Sequence, residues 1–202
     1  MKKIAVFISG GGTNLEALAD KAESYEVSLI IASRGDAMGL ERGKARGIPS
    51  FHVGKENFPE EPQRTAHILT LLQDYSIDYI ALAGYLSIVP KEIIDKYPDR
   101  ILNIHPSLIP SFCGVGFHGA HVHEAVYESG VKITGATVHF VNETVDGGTI
   151  ILQDTVPVLW KDTPEIIGRK VLKIEHEIFP KAMNLLASGK VKVTDNRTYI
   201  EE

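Results

Sequence analysis

Asn103 and His105 stand two residues apart in the segment ILNIHPSLIP, which runs from Ile101 to Pro110. Because side chains alternate between the two faces of a strand, the amide and the imidazole are predicted to share one face, about 7 Å apart along the backbone. Pro106 favours an extended end to this strand, so His105 is expected at the carboxyl end, where open α/β sheets bind ligands. An amide and an imidazole there could stabilise an oxyanion and move a proton; a histidine satisfied at a strand end is the alternative.

A glycine-rich turn, SGGGTN, occupies residues 9–14 between the first predicted strand and the first predicted helix. Glycines let the backbone approach a ligand closely, and a helix start offers unpaired N–H groups, so the turn suits a phosphate. It is not a Walker A loop, because no Gly-Lys-Ser/Thr follows, and Leu15 stands where a dinucleotide fingerprint has its third glycine. The sequence therefore favours a single terminal phosphate, with a tight turn that binds no ligand as the alternative.

Two carboxylates are candidates to complete a site. Asp146 precedes two glycines, and facing His105 it would orient the ring and favour its protonated form, although Asp-Gly turn chemistry alone also explains these residues. Glu175 has apolar neighbours three and four positions away on the predicted last helix, so it is expected to face the core. A carboxylate there needs a partner, either a core lysine or arginine or the amine of a ligand.

Three histidines, His118, His121 and His123, raise the question of a metal site in the segment FHGAHVH. A helix that begins at about His121 would put His121 and His123 on different faces, and the segment has no acidic or cysteine partner, so no metal is predicted. Cys113 has no basic neighbour nearby in sequence and is predicted to be an incidental thiol. The roles of these histidines, of His139 and of the loop 111–121 are left open.

The composition narrows the class of protein. The 202 residues include 21 basic and 26 acidic side chains, a formal net charge of −5, which gives no electrostatic reason to expect nucleic acid. The apolar run at the N-terminus is too short for a signal peptide or a membrane span, and one cysteine fits a reducing compartment. We therefore expect a cytoplasmic protein without a membrane segment.

The positions of apolar runs and helical patterns predict an α/β fold. Strands are predicted at Ile4–Ile8, Val27–Ala32, Phe51–Val53, Tyr79–Ala83 and Ile101–Ile104, alternating with helices at Leu15 to about Glu23, 39–47, Pro62–Tyr75 and Lys91–Tyr97. That alternation indicates a mostly parallel sheet with helices on both faces. After a helix near Val122–Ser129, strand signals at 132–141 and 149–158 follow each other without a helix, which predicts an antiparallel pair. A last helix from Thr163 to about Ala187, with a kink allowed at Pro180, precedes a short tail.

Seven stretches, taken in chain order, resemble the phosphoribosylglycinamide formyltransferase family of purine biosynthesis: SGGGTN, DAMGLERGKARGIP, IALAGYL, ILNIHPSLIP, GATVHFV, DGGTIILQ and IEHEIFP. This resemblance implies a Rossmann-like formyltransferase fold in one domain over residues 1–202. Its N-terminal half would bind the ribonucleotide phosphate, and its C-terminal half would bind folate and carry the catalytic loop. The implied reaction moves the formyl group of 10-formyltetrahydrofolate, a cosubstrate, to the amine of glycinamide ribonucleotide, giving formylglycinamide ribonucleotide and tetrahydrofolate.

The resemblance also implies roles for individual residues by motif match. The catalytic residues would be Asn103, His105 and Asp146. The ribonucleotide would bind at Gly11, Gly12, Thr13, Asn14 and Glu175. The folate would bind at Arg64, Leu86, Ser87, Ile88, Val89 and Asn103. Ser87 departs from the family, which often has arginine there. No metal, nucleic acid or membrane partner is implied, and a homodimer is allowed.

Three other functions are weighed against this one. A 10-formyltetrahydrofolate hydrolase would use the same catalytic trio with water as acceptor, but such relatives carry an additional N-terminal regulatory domain. A tRNA-directed formyltransferase would need a C-terminal extension and a basic surface. A non-catalytic nucleotide-binding regulator would keep the glycine turn without needing Asn103, His105 and Asp146 together.

Overall fold

A computed structural model describes residues 1–195 and 197–201 of the chain. Within them the strands are β1 (Lys2–Ile8), β2 (Tyr25–Ala32), β3 (Ser50–His52), β4 (Tyr79–Leu82), β5 (Ile101–His105), β6 (Ile133–Phe140), β7 (Ile150–Pro157), β8 (Val191–Thr194) and β9 (Arg197–Ile200). The helices are α1 (Thr13–Asp20), α2 (Met38–Ala45), α3 (Glu61–Asp74), α4 (Lys91–Lys96), α5 (Ala120–Ser129) and α6 (Pro164–Ala187).

Strands β1 to β7 form one sheet in the order β3-β2-β1-β4-β5-β6-β7. The first five strands of the chain pair in parallel, whereas β6 pairs antiparallel with both β5 and β7. The order reverses between β1 and β4, which places the turns after these strands at the crevice where such sheets bind ligands. This confirms the predicted α/β fold with its antiparallel strand pair.

Helices cover the sheet on both faces because its central strands are apolar on both sides. Residues Ile4–Ile8 of β1 are fully buried. One apolar cluster joins the sheet to α1, α5 and α6 through residues such as Leu18, Val126 and Phe179. A second cluster joins the opposite face to α3 and α4 through Ile68 and Ile93. The two layers hold the carboxyl ends of the parallel strands in fixed relation to one another.

The structure corrects several predicted boundaries. Helix α1 begins and ends earlier than predicted, and β5 extends one residue further, so that His105 itself is in the strand. Helix α6 starts as predicted, with Thr163 capping the Ile166 amide, and continues past Pro180. The residues predicted as a short tail instead form an antiparallel hairpin, β8–β9. Positions 196 and 202 of that tail lie outside the described residues.

No helix in the described part of the chain is both long and apolar enough to cross a membrane.

Candidate active site

Strand β5 brings Asn103 and His105 to the same face of the sheet, as alternation predicted. The antiparallel register pairs Asn103 with His139 and His105 with Thr137 on β6. His105 is 4% exposed. Its ring nitrogens therefore depend on protein groups and ligands, rather than on bulk water, for their hydrogen bonds.

The two ring nitrogens of His105 have different partners. Nε2 lies 2.9 Å from the carbonyl oxygen of Phe112. A carbonyl only accepts, so this contact requires a proton on Nε2. Nδ1 lies 3.5 Å from Oδ2 of Asp146. In the neutral ring Nδ1 therefore carries the lone pair, and the imidazole is oriented as a base.

His139 holds the amide of Asn103. Its Nδ1 donates to the carbonyl oxygen of Phe140 at 2.7 Å, which leaves Nε2 of the neutral ring as an acceptor. Nδ2 of Asn103 donates to that Nε2 at 3.1 Å. One N–H of the Asn103 amide is therefore fixed by His139, and the second N–H is free to donate to a ligand.

Asp146 lies between the two histidines in a loop that folds back toward β5. Its Oδ2 accepts a hydrogen bond from the Gly114 amide at 2.9 Å, and its Oδ1 lies 3.7 Å from Nε2 of His139. Burial acts to raise the pKa of Asp146, but the hydrogen bond from the Gly114 amide favours the ionised form, and the pKa is lowered overall. Asp146 is therefore a carboxylate at neutral pH.

The net pKa shift of His105 is downward, opposite to the contribution expected from Asp146 alone. Burial lowers its pKa, while the Phe112 carbonyl and Asp146 act in the opposite direction without offsetting it. Asp146 was expected to keep the imidazole protonated, but removal from water contributes more to the pKa than the charge of Asp146 does. The neutral form of His105 is therefore favoured at rest.

A cleft of about 360 Å³ opens over these residues. Its floor includes Asn103, His105, His139 and Asp146, and the loop 114–119 forms one side. The predicted folate residues 86–89 form another side, where Leu86 and Ile88 expose apolar side chains. An apolar wall beside a few convergent polar groups is typical of a small-molecule site.

Arg64, also predicted to bind folate, does not line this cleft among the described residues. Its guanidinium donates to the carbonyl oxygen of Phe58 at 2.8 Å. Its charge acts on Tyr85, a cleft residue: burial raises the pKa of Tyr85, and the hydroxyl of Ser87 and the charge of Arg64 lower it in part. Ser87 thus contacts Tyr85 at the position where the family often has arginine.

The glycine turn leads into α1 as predicted. Gly12 precedes the helix with φ +76°, a left-handed conformation that favours glycine. A Cβ at Gly12 would lie 2.7 Å from Cα of Gly39, so the turn also packs directly on α2. Thr13 is the first residue of α1, and the amides at this helix start have no partner in the preceding turn of helix. Unpaired amides at the positive end of a helix dipole are favourable to an anion.

Glu175 and Asn14 meet next to this turn. Nδ2 of Asn14 donates to Oε2 of Glu175 at 2.6 Å. The protein partner of Glu175 is therefore an amide rather than the core lysine or arginine that was one of the two alternatives, and the ligand amine stays a prediction. Burial raises the pKa of Glu175, and the Asn14 amide opposes this only in part. Oδ1 of Asn14 is buried without a protein partner.

Ser9 connects the glycine turn to the cleft. Its hydroxyl lies 2.6 Å from that of Ser33 and accepts a hydrogen bond from the Leu86 amide at 2.8 Å. The turn 9–14 and the cleft wall 86–89 are therefore adjacent, at the ends of the neighbouring strands β1 and β4.

The histidine segment does not form one cluster. His118 lines the cleft and lies 5.0 Å from His121, measured between ring centroids. His123 instead packs against Gly168 of α6. Across residues 1–195 and 197–201, no group of three or more His, Cys, Asp or Glu side chains is arranged to hold a metal ion. Cys113 lies near Asp146, and burial raises the pKa of its thiol.

Sequence reasoning left His139 without a partner and did not identify the Phe112 carbonyl or the Gly114 amide. The pairing of Asn103 with His139 depends on the register of β5 and β6, which alternation alone does not determine. The contributions of Phe112 and Gly114 come from the backbone of a loop, where residue type carries little signal.

The fold and this site define a formyl-group transferase: a family model described as formyl transferase matches residues 2–183. The phosphoribosylglycinamide formyltransferase of Haemophilus influenzae is 36% identical over 205 residues, covering 100% of this chain and 94% of that protein. The crystal structure of glycinamide ribonucleotide transformylase 1 from Symbiobacterium toebii has a TM-score of 0.93 and 40% identity, covering 100% of this chain and 95% of that one. The chain belongs to the phosphoribosylglycinamide formyltransferase family.

Some relatives are much longer. The chain is 41% identical over 195 residues to the trifunctional purine biosynthetic protein adenosine-3 of Gallus gallus, and the match covers 95% of this chain but 19% of that protein.

Proposed function

We propose that the chain transfers the formyl group of 10-formyltetrahydrofolate to the primary amine of glycinamide ribonucleotide, giving formylglycinamide ribonucleotide and tetrahydrofolate. One observation carries this proposal: Asn103, His105 and Asp146 converge on the floor of one cleft that adjoins a phosphate-type turn. An oxyanion donor, a base and a carboxylate are the groups that formyl transfer to an amine requires.

Asn103 is the oxyanion donor in this mechanism. When the amine nitrogen attacks the formyl carbon, the carbonyl oxygen becomes negative. The N–H of Asn103 that His139 leaves free points to this oxygen, and the contact with His139 prevents the amide from presenting its own oxygen instead. Loss of one such donor lowers the rate by about 100- to 1,000-fold.

His105 moves the proton. Neutral at the start, it accepts on Nδ1 a proton from the attacking amine, and the imidazolium that forms faces both the oxyanion and Asp146. When the bond from carbon to the folate nitrogen breaks, His105 returns the proton to that nitrogen. Atoms and charge balance without a covalent enzyme intermediate or a metal step.

The ribonucleotide binds at the other end of the site. Its phosphate accepts hydrogen bonds from the amides at Gly11, Gly12 and Thr13 and from the Thr13 hydroxyl. Asn14 and Glu175 bind the ribose and glycinamide end; Nδ2 of Asn14 orients the Glu175 carboxyl group, and Oδ1 of Asn14, buried without a protein partner, is offered to the ligand. This division makes residues 1–202 one formyltransferase domain with a phosphate-binding N-terminal half.

The folate binds in the cleft. The apolar side chains of Leu86 and Ile88 provide surface for its ring, and Val89 supports the wall from the buried side. Arg64, which does not line the cleft among the described residues, acts on this ligand through its charge near Tyr85. Ser87, which replaces a frequent arginine, leaves that part of the wall without a cation.

The decisive experiment supplies 10-formyltetrahydrofolate with and without glycinamide ribonucleotide and measures folate release and product mass. The expected result is release that requires the ribonucleotide, together with a formylated product. Release without the amine would instead indicate a hydrolase. Ribonucleotide binding without any turnover would indicate a regulator.

A further inference from the structure

The hydroxyl of Thr137 lies at the centre of a hydrogen-bond network beneath the catalytic strand. Thr137 is fully buried on β6, paired with His105 on one side and with Gln153 of β7 on the other. Its Oγ1 donates to the carbonyl oxygen of Ser107 at 2.7 Å and accepts from the Ile109 amide at 3.1 Å and from Nε2 of Gln153 at 2.9 Å. One donated and two accepted bonds use the full capacity of a hydroxyl.

This network ends at the hydrogen-bond partner of His105. The hydroxyl of Ser107 donates to the carbonyl oxygens of Ser111 at 2.6 Å and Phe112 at 3.2 Å. The Phe112 carbonyl is the group that accepts the Nε2 proton of His105. Gln153 adds a second contact to the same turn, donating to the Ile109 carbonyl at 3.0 Å. The turn 107–112 is therefore anchored to β6 and β7 at its start and to His105 at its end.

We propose that Thr137 is a positioning residue for the transfer proposed above: its hydroxyl fixes the turn 107–112 so that the Phe112 carbonyl keeps the proton of His105 on Nε2. A neutral imidazole released from that carbonyl would distribute its proton between the two ring nitrogens. The ring with its proton on Nδ1 has no lone pair facing Asp146 and the cleft. Thr137 thus acts on the reaction through the tautomer of a residue that it does not touch.

Thr137→Val and Thr137→Ser form the matched test pair. Valine has nearly the shape of threonine but leaves the Ser107 carbonyl, the Ile109 amide and the Gln153 amide without their partner, whereas serine keeps the hydroxyl. Thr134→Val, a buried threonine on the opposite face of β6, controls for the loss of a strand hydroxyl. We expect kcat to fall about 10- to 100-fold in Thr137→Val, with the ribonucleotide dissociation constant unchanged, because a small displacement of a catalytic group has an effect of that order. Thr137→Ser and Thr134→Val should stay near the parent rate.

Nitrogen-15 NMR of the His105 ring in the ligand-free protein reads the tautomer directly and requires no turnover. The parent protein and Thr137→Ser should show the proton on Nε2, and Thr137→Val should show a mixture. The Phe112 carbonyl raises the pKa of His105. In a plot of kcat against pH, the rise of kcat on the acid side (the acid limb) should therefore occur at lower pH in Thr137→Val than in the parent protein. The titratable groups that act on His105, namely Asp146, His139 and His123, are unchanged in these variants.

A Thr137→Val protein that is less stable but keeps the parent tautomer and acid limb would overturn the proposal, since a purely structural role predicts that result. If Thr137→Val does not fold, Gln153→Met decides, because Gln153 is exposed at the sheet edge and its loss removes two of the contacts. A partial shift of tautomer and rate in Gln153→Met supports the proposal; parent values contradict it. Absence of transfer in the parent protein would contradict the proposed function, and the NMR result would still test the positioning.

Discussion

Replacing His139 by phenylalanine tests whether His139 acts through Asn103. The ring volume is nearly kept, but the acceptor for Nδ2 of Asn103 at 3.1 Å is lost. The Asn103 amide is then free to rotate, and in one of its two orientations it presents a carbonyl oxygen to the developing oxyanion. The largest loss this mechanism allows is that of Asn103→Ala, about 100- to 1,000-fold in kcat, or about 3–4 kcal/mol of transition-state stabilisation. We therefore expect His139→Phe to reduce kcat by a smaller factor, while the ribonucleotide still binds at the glycine turn, which His139 does not form.

The assay is a double-mutant cycle on kcat with Asn103→Ala, His139→Phe and the double variant, measured by folate release at saturating substrates. If His139 works by holding the amide, the double variant should be little slower than Asn103→Ala alone. His139→Gln, which offers an amide oxygen as acceptor, should recover part of the rate. Fully additive losses in the double variant would refute the reasoning and assign His139 an independent role beside Asp146.

Four further outcomes follow from the site. His105→Ala and Asp146→Ala should each abolish most turnover while leaving the ribonucleotide dissociation constant, measured by calorimetry, largely intact; a near-parent rate in either would contradict the assignment. kcat should rise with pH as His105 loses its proton, at a pH set by its lowered pKa. In Asp146→Asn this rise should occur at still lower pH, because the carboxylate raises the pKa of the imidazole. Gly12→Ala should lower the thermal unfolding temperature, because a left-handed non-glycine residue costs about 1–3 kcal/mol and its Cβ would lie 2.7 Å from Gly39. Glu175→Gln should keep the folate-binding cleft but weaken ribonucleotide binding, which a titration at fixed pH would detect as an increased dissociation constant.

The sequence predicted those parts of the fold and site that depend on local pattern. The alternation that placed Asn103 and His105 on one face, and the glycines that predicted the turn before α1, are properties of a few neighbouring residues. The partner of Glu175 was not predictable, because Asn14 lies 161 positions away and a carboxyl on the core side of a helix gives no direction for its contact. The net pKa shift of His105 was not predictable for a related reason: the sequence shows a carboxylate, which does act to raise that pKa, but not how far both groups are removed from water.

The antiparallel course of β6 explains why the loop that carries Asp146 needs its glycines. Because β6 runs opposite to β5, it ends beside Ile101 at the start of β5, where the Val141 amide donates to the Ile101 carbonyl at 2.9 Å. The chain that follows β6 therefore begins at the amino end of β5, whereas His105 lies at the carboxyl end. The loop must run back along the sheet for Asp146 to reach His105. The return to β7 brings the backbone so close that a Cβ at Gly148 would lie 1.7 Å from the carbonyl oxygen of Phe140, and Asp146 itself takes the left-handed φ of 55°. The residues DGG thus serve two requirements at once, since they allow the strand pair to close without a side chain in its way and they direct the carboxylate back over the face that carries the base.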